Sequence, residues 1–343
     1  MKTLVICATL ALVAAGASIG GALALFSDTA SVPGNTFTTA ASFGTPTPTP
    51  TPGGMRLATG TYTGNGIDNR AITGVGFQPD VVFIRQDISG EVAVARTSSM
   101  TGDATKLLVG GSAVLTNRIQ SLDSDGFTVG TNGAVNTAGV TYYWVAFKAI
   151  AGRLKVASYT GNGTSQSITG VGFSPEYVII LGANANNAIH RSSTMTGPFR
   201  FDENAAGADS LNSLNADGFS VGSHAQVNAS GIVYHYLAWN VDGAKVNVGS
   251  YSGNGADNRS ITGVGFQPQY VITKAIEDVT PPINNQPPVH RPSSLGADST
   301  LHFTTTAAFA NSIEALQADG FQVGTDPTVN TSGETYYWMA FGP

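Results

Sequence analysis

Gly60-Thr61-Tyr62-Thr63-Gly64-Asn65-Gly66 is the stretch that decides the fold, because it returns as Ala157-Ser158-Tyr159-Thr160-Gly161-Asn162-Gly163 and as Gly249-Ser250-Tyr251-Ser252-Gly253-Asn254-Gly255. Further blocks follow each copy in the same order. Ile72-Thr73-Gly74-Val75-Gly76-Phe77-Gln78-Pro79 reappears at residues 168–175 and 261–268, and Asp125-Gly126-Phe127 reappears at Asp217 and Asp319. Each unit closes on an aromatic run: Tyr142-Tyr143-Trp144-Val145-Ala146-Phe147, Tyr234-His235-Tyr236-Leu237-Ala238-Trp239 and Tyr336-Tyr337-Trp338-Met339-Ala340-Phe341. The tyrosines Tyr62, Tyr159 and Tyr251 fall 97 and 92 residues apart. That period is domain-sized, well above the roughly 20–50 residues of a solenoid repeat, so each copy is expected to own a core.

Within the first unit, strand-like runs cover residues 57–62, 81–85, 91–96, 106–109, 118–122, 127–129 and 141–148. Seven short strands between turns predict a β-sandwich. In the last run Tyr142, Trp144 and Ala146 alternate with Tyr143, Val145 and Phe147, so both faces are apolar and the strand is expected to be central. Val81-Val82-Phe83-Ile84 is a continuous apolar run, consistent with burial on both faces. Pro79, Pro175 and Pro268 precede such runs, where a missing N–H costs least. The Asn-Gly pairs at 65–66, 162–163 and 254–255 read as turns, as do the Asp-Gly steps, with the following Phe as a core anchor. The copies differ most between residues 84 and 122 and their counterparts, where the third inserts a proline-rich stretch at 280–288.

Composition agrees with an all-β reading. Of the 343 residues 42 are Gly and only 11 % are charged, too few for long surface helices held by ion pairs. A net charge of −6 without Lys or Arg clusters argues against a nucleic-acid partner and against an electrostatic membrane contact. Lys2 followed by an apolar run to Ile19, then Ala22-Leu23-Ala24, reads as a signal peptide over residues 1–24 cleaved before Leu25, which leaves no membrane span. A retained anchor is the alternative, since the run approaches spanning length. Cys7, the chain's single cysteine, lies in this leader, so the mature protein has no disulfide and no Cys-ligated metal. Residues 25–44 form an exported segment, and residues 45–54 a linker in which four Thr-Pro pairs enforce an extended spacer. The repeat domains are read as residues 55–150, 151–244 and 245–343.

Leu25-Phe26-Ser27-Asp28-Thr29-Ala30, with Gly34-Asn35-Thr36-Phe37, resembles the signal-proximal segment of the TasA and camelysin group of exported bacterial matrix proteins. That resemblance implies an export route and a surface-matrix setting. The repeat itself resembles an uncharacterised module of phage tail-associated and secreted bacterial proteins, which implies an extracellular or virion-surface β-module and supplies no catalytic residue. The second unit departs most: Ser165-Gln166 replaces Asn69-Arg70 and Asn258-Arg259, and His235 stands at the position of Tyr143 and Tyr337.

All five histidines, His190, His224, His235, His290 and His302, lie in the second and third units, so no triad or metal cluster is triplicated and no enzyme is expected. The feature shared by 95–98, 190–193 and 290–293 is Arg-x-Ser, with Arg96, Arg191 and Arg291 expected to pair with a turn carboxylate or carbonyl. No cofactor is expected. Ca²⁺ could be held by Asp68, Asp103, Asp123 and Asp125, but their spacing follows no known Ca²⁺ loop. The best route to a ligand is aromatic stacking of sugar rings, which selects Tyr62, Tyr159 and Tyr251 with the pairs Asn69-Arg70 and Asn258-Arg259 as candidate binding residues. The resulting expectation is an extracellular or cell-surface protein of three tandem antiparallel, jelly-roll-like β-sandwich repeats. Its expected work is multivalent adhesion to surface polysaccharide or to another cell-surface protein. The alternative is a self-associating subunit of a matrix, fibre or phage-tail-like assembly. Whether the repeats form beads or a pseudo-threefold cluster is left open, although the short linkers at 149–155 and 240–245 favour contact between neighbours.

Overall fold

A computed structural model of the protein describes residues 56–243, 245–276, 286–296 and 298–342; the leader, exported segment and Thr-Pro spacer, and most of the proline-rich insertion, lie outside them. Repeat 1 contains β1 (Arg56–Thr63), β2 (Arg70–Thr73), β3 (Val81–Gln86), β4 (Val94–Thr97), β5 (Lys106–Leu107), β6 (Ile119–Asp123), β7 (Gly126–Val129), α1 (Gly133–Asn136) and β8 (Thr141–Lys148). Repeat 2 contains β9 (Leu154–Thr160), β10 (Gln166–Ile168), β11 (Tyr177–Gly182), β12 (Ile189–Ser192), β13 (Phe199–Arg200), β14 (Leu211–Asn215), β15 (Gly218–Val221), α2 (Ala225–Asn228) and β16 (Val233–Trp239). Repeat 3 contains β17 (Val246–Ser252), β18 (Arg259–Thr262), β19 (Tyr270–Ala275), β20 (Val289–Pro292), β21 (Leu301–His302), β22 (Ile313–Gln317), β23 (Gly320–Val323), α3 (Pro327–Asn330) and β24 (Thr335–Phe341).

Each repeat is a two-layer antiparallel sandwich. In repeat 1 a five-stranded sheet of order β1-β8-β3-β4-β5 faces a three-stranded sheet of order β2-β7-β6, and the other repeats follow the same plan. First strand pairs with last and second with next to last, which is the jelly-roll wrap; β4 and β5 remain beside β3 as hairpins. The final aromatic strand is central, as its alternation required, and every residue of β3 is buried. One strand escaped the sequence reading: β2 is four residues long and buries only Ile72. The run at 91–96 is a strand only from Val94.

The arrangement of the copies is a closed ring, and the described residues form one compact unit. Each repeat keeps its own core between its two sheets, with Ile72, Phe127, Val129, Tyr142 and Trp144 at the centre of repeat 1. The other face of each large sheet, where strands carry apolar residues on both sides, turns inward to a core shared by all three. On the pseudo-threefold axis the last residues of the aromatic runs meet edge-on or tilted, with ring centroids 5.6 Å apart for Phe147 and Trp239, 5.4 Å for Trp239 and Phe341, and 5.3 Å for Phe147 and Phe341. Tyr177 stacks on Trp239 and Tyr270 on Phe341, whereas repeat 1 places the smaller Val81 at that position.

Equivalent bonds link neighbours in one rotational sense, as a head-to-tail interface requires. Ala93 N donates to Phe303 O, and Ala188 N to Leu108 O, both near 3 Å. The third position in this series is Pro288, which has no N–H. Repeats 3 and 1 have no direct covalent connection, yet they are tied by Gly90 N to Thr305 O, Ala308 N to Asp87 O, and the buried Arg85, which donates to His302 O and Thr306 O. Repeat 2 has Leu181 and repeat 3 has Lys274 where repeat 1 has Arg85.

Candidate functional site

The residues singled out for stacking are part of the structure's own packing. Tyr62 is 9 % exposed and lies parallel to Tyr142, with centroids 5.2 Å apart; Tyr159 on Tyr234 and Tyr251 on Tyr336 repeat the pair at 5.3 Å. Their hydroxyls donate to Val135 O, Val227 O and Val329 O. Burial pushes all three phenols above their ordinary pKa. The exposed ring platform predicted at these positions is therefore not formed, because the cross-strand neighbour covers one face of each ring.

Arg70 and Arg259 cover part of the rest, with guanidinium carbons 5.1 and 5.3 Å from the centroids of Tyr62 and Tyr251. Each also donates to a strand carbonyl, Thr63 O or Ser252 O, and to a buried amide, Asn136 Oδ1 or Asn330 Oδ1. Asn69 and Asn258 adopt φ of 54° and bond the preceding Asp68 and Asp257, as turn residues. The structure thus brings Tyr62 together with Arg70, and Tyr251 with Arg259; repeat 2 has Gln166 and no cation there. The hub of this corner, missed in the sequence, is the fully buried asparagine that ends each short helix. Asn136 accepts from Asn65 N and donates to Ile67 O and Gly130 O, pinning the Asn-Gly loop. The recurring Val-Asn at 135–136, 227–228 and 329–330 was its signal.

The aspartates considered for Ca²⁺ are occupied by protein donors. Asp125 caps Gly74 N and Gly76 N, and Asp217 and Asp319 do the same for Gly170 and Gly172 and for Gly263 and Gly265. The Gly172 and Gly170 N–H groups hold the Asp217 carboxyl below its usual pKa. Asp68 accepts from Gln120, Asp103 from Asn117 N, and Asp123 from Ser121 and Thr128. Among the described residues no group of three His, Cys, Asp or Glu side chains is placed to hold a metal ion.

What recurs as open space is a cleft at the Arg-x-Ser segment of every repeat. In repeat 1 it runs between the loop before β3, the end of β4 and the strand β6, is lined by Gln78, Asp80, Arg96, Ser98, Gln120 and Ser121 among others, and measures about 490 Å³. Repeat 3 has its counterpart, also about 490 Å³, lined by Gln267, Gln269, Arg291, Ser293, Glu314 and Ala315. The cleft of repeat 2, with Arg191, Ser193 and Ser213, measures about 250 Å³. One wall is re-aimed by a bulge at the same place in each copy, between Ile119 and Ser121, Leu211 and Ser213, and Ile313 and Ala315. The extra residue is Gln120, Asn212 or Glu314, and bulges commonly turn side chains toward a working surface in this way.

The three arginines pair with carbonyls. Arg96 donates to Gly102 O and Ala104 O, and Arg291 to Gly296 O and Ser299 O, each bracing the turn that follows β4 or β20. Both also reach one carbonyl of the bulged strand, Ile119 O or Ile313 O, and Arg191 bonds two there, Leu211 O and Asn212 O. Gln78 and Gln267 bridge the cleft mouth to Leu122 O and Leu316 O. Ser98, Ser193 and Ser293 stand exposed at the rim. Each wide cleft thus offers hydroxyls, amides and one carboxylate, a lining suited to hydrogen bonding with a polyhydroxylated ligand. Three stretches of the chain, residues 54–154, 151–250 and 243–341, each match one protein family, described as Domain of unknown function (DUF7483). No curated protein matches the chain.

Proposed function

The chain belongs to that family as three fused copies of its domain, and on this premise we propose that it is an exported, cell-surface or extracellular binding protein that engages polysaccharide through the repeated clefts. The observation that carries this reading is the recurrence of one polar cleft at equivalent positions in the three repeats. Weak sites held on one body raise avidity by restricting the second binding event to a nearby volume. The leader read at residues 1–24, and the likeness of the flanking segment and of the repeats to exported matrix and tail-associated proteins, support the location. The head-to-tail faces that could drive a fibre are used between repeats of the same chain, which favours a binder over a self-assembling subunit.

The test is retention of the purified chain from residue 25 onward on an array of bacterial and host polysaccharides, with static light scattering on the same sample. Selective retention of monomers is expected. Retention by nothing, with growth into large particles, would replace this reading with a matrix or fibre subunit.

A further inference from the structure

The three clefts are unequal, and the inequality has a visible cause. Arg96 and Arg291 are 6 % and 5 % exposed and bond the turns after β4 and β20 as well as one wall carbonyl, Ile119 O or Ile313 O, whereas Arg191 is half-buried and bonds two wall carbonyls, Leu211 O and Asn212 O. The space in repeat 2 is about half that in the other two. The amide that bridges the mouth in repeats 1 and 3, Gln78 or Gln267, is replaced by Ser174, whose side chain is too short for that span.

The charge of the wide clefts also restricts what fits. Their arginines are engaged by backbone carbonyls, Asp80 is paired with Lys148 at 3.0 Å, and Glu314 adds negative charge in repeat 3. Nothing in this lining is a free cation for a sulfate, phosphate or uronate group, while side-chain amides and hydroxyls suit sugar hydroxyls.

We propose that the protein is functionally bivalent: the clefts of repeats 1 and 3 each hold uncharged sugar units, and repeat 2 is the scaffold that fixes their separation. This rests on the polysaccharide-binding reading and narrows it to two sites and one ligand class. A polymer bound at both sites gains avidity, so closing either site weakens retention by tenfold or more.

The experiment is affinity electrophoresis of the full chain in native gels containing dextran, yeast mannan or xylan as neutral probes and alginate or heparin as anionic ones. The rim variants Ser98→Trp, Ser193→Trp and Ser293→Trp place bulk at exposed positions. Because Ser293 Oγ lies 2.8 Å from Thr59 Oγ1 of repeat 1, Gln267→Ala serves as a second variant of the same cleft, at a residue for which no bond to repeat 1 is seen. Retardation by at least one neutral polymer is expected, weakened at least tenfold by Ser98→Trp, Ser293→Trp or Gln267→Ala, and within twofold of the parent in Ser193→Trp. The Ser98→Trp/Ser293→Trp double variant should migrate as if no polymer were present. Equal weakening by Ser193→Trp, persistent retardation of the double variant, or retardation by the anionic polymers alone would overturn bivalency or the ligand class while leaving polysaccharide binding in place. No retardation in any gel would remove the binding reading itself and this proposal with it.

Discussion

Gly60→Ala should destabilise the protein, and Trp144→Tyr should restore much of what is lost. Gly60 is the register partner of Trp144, and a Cβ at Gly60 would lie 2.3 Å from Cζ2 and 2.6 Å from Cε2 of that indole. Carbon atoms in contact sit at about 3.5–4.0 Å, so the ring would have to retreat by roughly 1 Å. Trp144 is 6 % exposed and its edge meets Phe127 at 5.9 Å, leaving little room to move. Overpacking of this kind costs about 1–3 kcal/mol. Repeat 3 keeps the same pair, Gly249 with Trp338, at the same 2.3 Å. Repeat 2 pairs Ala157 with Tyr236, the combination that accommodates a methyl group. A double-mutant cycle read by urea denaturation in far-UV circular dichroism should give a favourable coupling of about 1–2 kcal/mol between Gly60→Ala and Trp144→Tyr. Additive effects, or a neutral Gly60→Ala, would refute the inference that indole volume dictates glycine on the partner strand.

Other outcomes follow from the ring. Arg85→Leu, which copies Leu181 of repeat 2, leaves the buried His302 carbonyl without its 2.9 Å donor and should cost about 1–3 kcal/mol in urea denaturation, even though burial of the guanidinium has already lowered its pKa to about 10. Cleavage at a protease site placed in the exposed turn at Gly152 should leave both fragments co-eluting in gel filtration, because the shared core and the bonds between repeats 3 and 1 persist without the link. Acid should weaken the fold. His190 is held neutral by burial, with Lys274 adding to the effect, so its pKa falls to about 3, and His290 is lowered likewise by burial and by Arg85. An unfolded histidine takes up its proton near pH 6.5, so stability is complete above that pH and declines as pH falls toward the folded pKa, by on the order of 2 kcal/mol per buried ring between pH 6.5 and 5. Urea midpoints across that range should show the decline, and replacement of His190 and His290 by Phe should remove roughly half of it, because burial also lowers His235 and His302 to about 4.

The strands were legible wherever periodicity spoke, and the closure of the ring was not. Val81 to Ile84 and the aromatic run of β8 announced burial on both faces, and both strands occupy the interior of the large sheet. What covers the second face is another copy, and no single-repeat pattern states which. The clue lay in differences between copies, such as Val81, Tyr177 and Tyr270 at one position, which make sense only when the three side chains share a space. The candidate site was less legible. Tyrosine beside an Asn-Gly turn reads equally as a stacking platform and as a plug, and the partner that makes Tyr62 a plug, Tyr142, is distant in sequence and adjacent in register. The clefts are built from the bulged strand and from Gln78 and Gln267, and a bulge depends on pairing register rather than residue type. Arg-x-Ser was visible as a shared feature, and its arginine bonds to carbonyls as expected.

Three copies of the domain form one closed body on a common core, and each copy carries one tryptophan to report on it. Trp144 and Trp338 lie in the outer cores of repeats 1 and 3, and Trp239 lies on the axis. Three variants, each retaining one of these and carrying Tyr at 144 or 338 and Phe at 239 elsewhere, would be unfolded in urea and followed by fluorescence. Within each variant, a fluorescence transition that coincides with its circular dichroism transition is the predicted result; a tryptophan transition that departs from the circular dichroism of the same variant would contradict the closed ring.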